Sequence, residues 1–127
     1  MTNKLDDWQI PLLNAASLHV VESGLRLAGV AVHGTAVTKG WWDGERNDGE
    51  LVALIHSEAS ELLEGLRHGN PASDHIPSHC AAAEELADII IRCLDMGEAR
   101  GWDVAGALIA KMKFNETRPV RHGGKRF

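Results

Sequence analysis

The chain has 127 residues, enough for one domain with one modest core and too few for two. Its formal net charge is −5, and no long basic run precedes the last few residues. That excludes non-specific binding to nucleic acid polymers and to anionic membrane surfaces, because neither would attract such a surface. Cys80 and Cys93 form no CxxC pair and read as reduced thiols of a cytoplasmic protein. MTNKLDDWQIPLLNAAS has no basic stretch leading into an apolar one, so no secretion signal is expected. No apolar run in the sequence approaches the ~20 residues that span a bilayer, so no membrane partner is expected.

Four helical blocks are predicted. The first runs from 11 to about 30, with Pro11 at a tolerated first-turn position and apolar residues at Leu12, Leu13, Leu18, Val21, Leu25 and Leu27. A glycine-rich connection follows, AVHGTAVTKGWWDGERNDG, in which no regular element is predicted. The second block spans 48 to 67, with Asn47 or Asp48 as N-cap and Gly69 as its stop. Asn70-Pro71 breaks the chain, and PASDHIP reads as loop. The third block begins at Ser78, a good cap, and continues to Gly101. The fourth, DVAGALIAKMKFNET, is capped by Asp103 and closed by Arg118-Pro119. β-branched alternation is nearly absent, so the expected fold is all-α, a small bundle of about four helices in a single domain.

Within the second block, Leu51, Ile55, Leu62 and Leu66 recur at the spacings of one helical face, and Glu58 falls in the same series. On a wheel of about 100° per residue, Glu58 lies roughly 60° from the centre of that apolar arc and Glu61 about 60° further round. Glu58 is therefore expected in or against the core, Glu61 on its rim and Glu64 facing away. The third block repeats the arrangement. Its apolar arc is built from Ala82, Leu86, Ile89, Cys93 and Met96, flanked on one side by Glu85 and Asp88.

If the two helices pack with those flanks facing, four carboxylates converge, and uncompensated buried charge of that kind is costly. Divalent hard cations held by carboxylates and substrate phosphates offer one compensation. Arginine or lysine from within the bundle offers the other. The plain alternative is a solvated surface, which is what most ExxE pairs on helices are.

SEASELLEGLR, then EELADIIIRCLD, then KMKFNETRPVRHGGK together resemble the MazG-like all-α nucleoside triphosphate pyrophosphohydrolases. The family pattern, ExxE on one helix and ExxD on the next, would be met here by Glu58, Glu61, Glu85 and Asp88. The resemblance covers roughly residues 40 to 125. It implies that these four acids bind Mg²⁺, with Mn²⁺ as a substitute, and that the cations grip a nucleoside triphosphate. Water then attacks the α-phosphorus and pyrophosphate leaves, giving the monophosphate. Glu61 and Glu58 are the expected catalytic carboxylates, with Glu61 favoured as general base because a rim carboxylate reaches both the site and solvent. The resemblance also implies assembly as a homodimer or a dimer of dimers (a homotetramer). The ending NETRPVRHGGKRF is most similar to phage and mobile-element members, which would place the protein in the host cytoplasm. Some of those act on purine deoxynucleotides, the MazZ type converting dGTP to dGMP, so a purine dNTP is the expected substrate.

A triphosphate also needs cations. Lys111, Lys113, Arg118, Arg121, Lys125 and Arg126 form a basic cluster in an otherwise acidic chain, which taken alone is a solvated tail. Family likeness raises Lys111, Asn115, Arg118 and Lys125 to phosphate or sugar contacts, with His122-Gly123-Gly124 allowing close backbone approach. Trp41 and Trp42 are candidates for stacking on a nucleobase, one inward and one on the ligand, and Trp42 is taken as the substrate contact. Trp8 and Trp102 are assigned to packing, and Arg92 to a pair with Asp88 or Asp95. His75, His79 and Cys80 fall short of a zinc pattern, since Pro77 keeps the histidines off one helical face. Two readings from other classes stand beside the enzyme: a nucleotide-binding sensor without turnover, and a helical interaction module whose acids pair with a partner's basic residues.

Overall fold

The computed structural model describes residues 14–119 and 121–126. They form helices α1 (Ala15–Thr38), α2 (Asp48–Arg67), α3 (Ala81–Arg100) and α4 (Val104–Glu116), then a short helical turn α5 (Arg121–Gly124). Among the described residues there is no strand, only an isolated bridge between Ala72 and Cys80. The architecture is thus a small all-α fold with four long helices. Its contacts divide into two units, Ala28–Trp102 and the described residues up to Leu27 together with the described residues from Asp103 on.

The helix boundaries show where local chemistry decides. α1 runs eight residues past its expected end at Val30, through Gly34, to Thr38. Helical glycine costs about 1 kcal/mol against alanine. Here the hydroxyls of Thr35 and Thr38 back-bond to the carbonyls of Ala31 and Gly34 at 3.0 and 2.8 Å, and the helix stops only before Gly40, at φ +84°. Its expected start at Pro11, like Trp8, lies outside the described residues. α2 has the expected bounds: the Asn47 side chain accepts from the Glu50 N–H at 2.7 Å, and Gly69 takes φ +81° after the last turn.

α3 starts at Ala81, not at Ser78. Asn70, across the loop, supplies the cap instead. Its side-chain oxygen accepts from the Ala82 N–H at 2.8 Å, while the Pro71 carbonyl accepts from Ala81 at 2.8 Å. Inside the loop the buried Ser73 hydroxyl accepts from the His75 and Ile76 N–H groups and donates to Glu84. This web holds 70–80 as a folded turn, so the helix cannot begin before it ends.

α2 and α3 run antiparallel. Glu58 meets Arg92, a Cβ on Gly65 would stand 3.3 Å from that of Ala81, and Arg100 reaches Asp48, so residue numbers fall on one helix as they rise on the other. In this unit Leu51, Leu94 and Met96 are buried, and so is Glu58. In the other unit Leu18, Ala105 and Ile109 are buried, and Asp103 caps α4 by accepting from the Gly106 N–H while pairing with Arg26 at 2.8 Å. The buried line of α2 runs through Leu51 and Glu58, so its packed face is turned toward the carboxylate. Leu66 and Leu86, expected in the apolar arcs, are accordingly 51% and 50% exposed. Further apolar side chains are exposed on α1 (Val20, Leu27, Val30), α2 (Val52, Leu63) and α3 (Ile90). Against the expectation that no apolar run is long enough, α1, with 24 residues, could cross a bilayer by length and composition alone.

Candidate metal centre and the adjoining cavity

The spacing of three places Glu58 and Glu61 on one flank of α2, and Glu85 and Asp88 on one flank of α3. Antiparallel packing turns those flanks toward each other. One carboxylate oxygen from each of Glu58, Glu61 and Glu85 lies within 4.8 Å of the others. Asp88 does not join this triad but borders the adjoining cavity together with Glu58. Glu58 is buried, Glu85 and Asp88 are half-buried and Glu61 is exposed, the order the helical wheel gives for α2.

The charges are unequally compensated. Arg92 Nε donates to Glu58 Oε1 at 2.5 Å. Burial pushes the Glu58 carboxyl up, but hydrogen bonds with Glu61 and Arg92 outweigh it, and Glu58 stays below the usual carboxylate value. Its neighbours move the other way. The hydrogen bond shared with Glu58, then burial, raises Glu61; burial, then the charges of Glu61 and Glu58, raises Glu85; burial, then Glu58, raises Asp88. One guanidinium therefore settles one carboxylate and leaves three that resist ionising together. A triad of oxygen donors at this separation, short of positive charge, is a donor set suited to a hard divalent cation.

Arg92 was expected to pair with Asp88 or Asp95 on its own helix, and the structure gives it to Glu58 instead. The buried partner across the helix interface prevails over the half-buried neighbours one turn away on the same helix. Asp95 is already engaged, accepting from His33 Nδ1 at 2.8 Å and from Trp42 Nε1 at 3.0 Å. Trp42 is further held by an edge contact with His33, at 5.5 Å between ring centres, and by the Arg46 and Arg100 guanidinium groups at 5.0 and 5.8 Å. It is the inward member of the pair. Trp41 is the outward one, 62% exposed.

Beside the acids lies a cavity of about 320 Å³, whose walls include Lys39, Trp41, Arg46, Glu58, Asp88 and Arg92. Lys39 and Arg46 belong to no motif in the sequence. The signal available was their position either side of the tryptophan pair in KGWWDGER.

The tail residues lie in the other unit. Lys111 and Arg118 stand over the Phe114 ring at 4.6 and 5.7 Å, the Arg118 N–H donates to the Asn115 carbonyl, and the Lys125 N–H donates to that of Arg121. The His122 side chain lies outside the described residues. Of the zinc candidates, His75 meets Glu84 at 2.6 Å, which raises its pKa, and Cys80 occupies the N-cap position of α3. No family model, curated protein or solved structure matches this chain.

Proposed function

We propose that the protein is a MazG-like, metal-dependent pyrophosphohydrolase that cleaves a nucleoside triphosphate to the monophosphate and pyrophosphate. The observation that carries this reading is the meeting of Glu58 and Glu61 of ExxE with Glu85 of ExxD, beside a cavity that Glu58 and Asp88 line together with cations and a tryptophan. Glu58, Glu61 and Glu85, with Asp88 beside them, would hold Mg²⁺ or Mn²⁺. A divalent cation bound there would neutralise charge on the phosphoryl oxygens. The chain's own residues do the rest. Glu61, exposed at the rim, takes the proton from the attacking water as its oxygen bonds to the α-phosphorus and the bond to the β-phosphate oxygen breaks. Arg92 fixes the Glu58 carboxylate in position. Trp41, at the cavity, takes the base-stacking role first given to Trp42, whose Asp95 hydrogen bond makes it a support for the wall. Lys111, Asn115, Arg118, His122 and Lys125 remain the tail's contacts to phosphate or sugar. The favoured substrate is a purine dNTP, with dGTP first.

The test is product analysis on the eight common NTPs and dNTPs with Mg²⁺, Mn²⁺ or EDTA. Monophosphate plus pyrophosphate, abolished by EDTA, is the expected result, with the base preference read from the same panel. No product from any of them would overturn the reaction and favour the sensor or the interaction module.

The same reading includes assembly as a homodimer or homotetramer. Val52, Leu63 and Leu66 on α2, and Leu86 and Ile90 on α3, leave apolar stripes uncovered in a single copy. Light scattering coupled to gel filtration is expected to give two or four times the 13.8 kDa chain mass. A monomer mass at micromolar concentration would overturn the assembly.

A further inference from the structure

The cavity carries two kinds of charge, and only one kind is explained by the acids that would hold a cation. Glu58, Asp88 and Asp95 line it, and so do Lys39, Arg46 and Arg92. Arg92 is committed to Glu58, and Asp95 to His33 and Trp42. Lys39 and Arg46 make no ion pair among the described residues, although three carboxylates line the same cavity. Lys39 is exposed on the last residues before the tryptophans, and the Arg46 guanidinium rests on the rings of Trp41 and Trp42 at 5.9 and 5.0 Å. The rings hold that guanidinium in place without neutralising it, so its donors remain available to an anion.

We infer that Lys39 and Arg46, on the connection between α1 and α2, bind phosphates of the ligand, with its flat ring system against Trp41. Several features point to a polyphosphate carrying an aromatic base. A cavity of about 320 Å³ is within the range of small-molecule sites. Its apolar walls Val32 and Ile91 and the Trp41 ring suit a base. An anionic chain reaching from these cations to the acid triad would need a bridging metal there, and the triad supplies the donors for one. Arg46 offers a planar fork to a phosphate oxygen pair and Lys39 a mobile point charge, a combination that tolerates the shift between a triphosphate and separated products. This assignment rests on the proposed reaction for its substrate, but its residues are distinct from the acids and from the basic tail.

The test uses the full chain with Mg²⁺ and two probes: a dGTP analogue with a methylene in place of the α,β-bridging oxygen, and inorganic tripolyphosphate. Calorimetry gives their Kd, and steady-state assays give KM on the best substrate of the nucleotide panel. Lys39→Ala and Arg46→Ala are each expected to weaken both probes, and to raise KM, about tenfold or more, as loss of a charged hydrogen bond does. Lys39→Arg should recover most of the Lys39 effect. Trp41→Ala should weaken the analogue while leaving tripolyphosphate unchanged. Should Arg46→Ala fail to fold, the exposed Lys39 still decides the outcome. A protein that hydrolyses nucleotide with a KM and probe affinities indifferent to Lys39→Ala overturns this assignment and leaves the reaction standing. Binding of both probes through Lys39 and Arg46 without turnover upholds the assignment and overturns the reaction. Failure of the wild type to bind either probe overturns both.

Discussion

Glu58→Gln and Glu85→Gln are each expected to cut nucleotide hydrolysis by more than about 100-fold, yet to move the metal-free Tm in opposite directions. Outer-shell partners of a metal already cost about 10–100-fold when removed, so a direct carboxylate ligand should cost more. The stability signs follow from the environments. Glu58 has a folded pKa below its ordinary value, because the hydrogen bonds with Glu61 and Arg92 overcome the effect of burial. Its ionised form therefore stabilises the fold above about pH 4.5, and that contribution is lost as pH falls through the folded pKa. Removing its charge at pH 7.5 lowers Tm. Glu85 is raised by burial and by the charges of Glu61 and Glu58, so its ionised form costs stability at pH 7.5. Glutamine relieves that cost, and Tm rises by about 3–5 °C, the shift of ~1 kcal/mol in a domain of this size. The gain should shrink as the pH is lowered and Glu85 itself takes up a proton. Thermal melts in EDTA, beside steady-state rates with Mg²⁺, read both effects. Near-normal turnover in either variant would remove that residue from the metal set, and a lowered Tm for Glu85→Gln would show the cluster to be compensated.

Arg92→Met should destabilise the metal-free protein strongly and make its stability depend on divalent cation. Breaking a buried ion pair by removing one partner costs about 3–5 kcal/mol. The Arg92 side chain is 35% exposed, and solvent screening brings the expected cost to about 2 kcal/mol, a fall in Tm of roughly 6–10 °C. The buried Glu58 is then left among Glu61 and Glu85 without its ion-pair partner. Mn²⁺ at about 100 times its Kd restores up to ~2.7 kcal/mol by mass action, so the variant should recover most of the loss on adding metal. Wild type, with Arg92 in place, should gain less. If Mn²⁺ leaves the variant's Tm unchanged, the acids do not bind a cation and the Glu58–Arg92 pair is a structural contact. The double variant Glu58→Gln with Arg92→Met separates the pair's coupling from the packing each side chain contributes.

The acid-bearing flanks and the helical class were legible because both follow from spacing along a helix, whereas the gathering of Glu85, but not Asp88, with Glu58 and Glu61 depends on how α2 and α3 pack. Glu58 in the apolar series, Glu61 on its rim, the Asn47 cap and the Gly69 stop each depend on neighbours within four residues, and the structure shows α2 with those features. The basic connection was not legible, because nothing local distinguishes Lys39 or Arg46 from any solvated cation. Their meaning comes from a cavity whose other walls lie on α2 and α3. The same holds for the partner of Arg92. Spacing offered Asp88 and Asp95, while the antiparallel register brought Glu58 opposite and His33 with Trp42 occupied Asp95. The start of α3 was lost in the same way, since its cap is Asn70, twelve residues before the Ala82 amide it serves. The sequence alone determined which faces of each helix carry apolar residues and which carry acids, because helical periodicity is a property of the chain. Only the tertiary structure decided which charges meet, because pairing across helices depends on register, and register is set by packing.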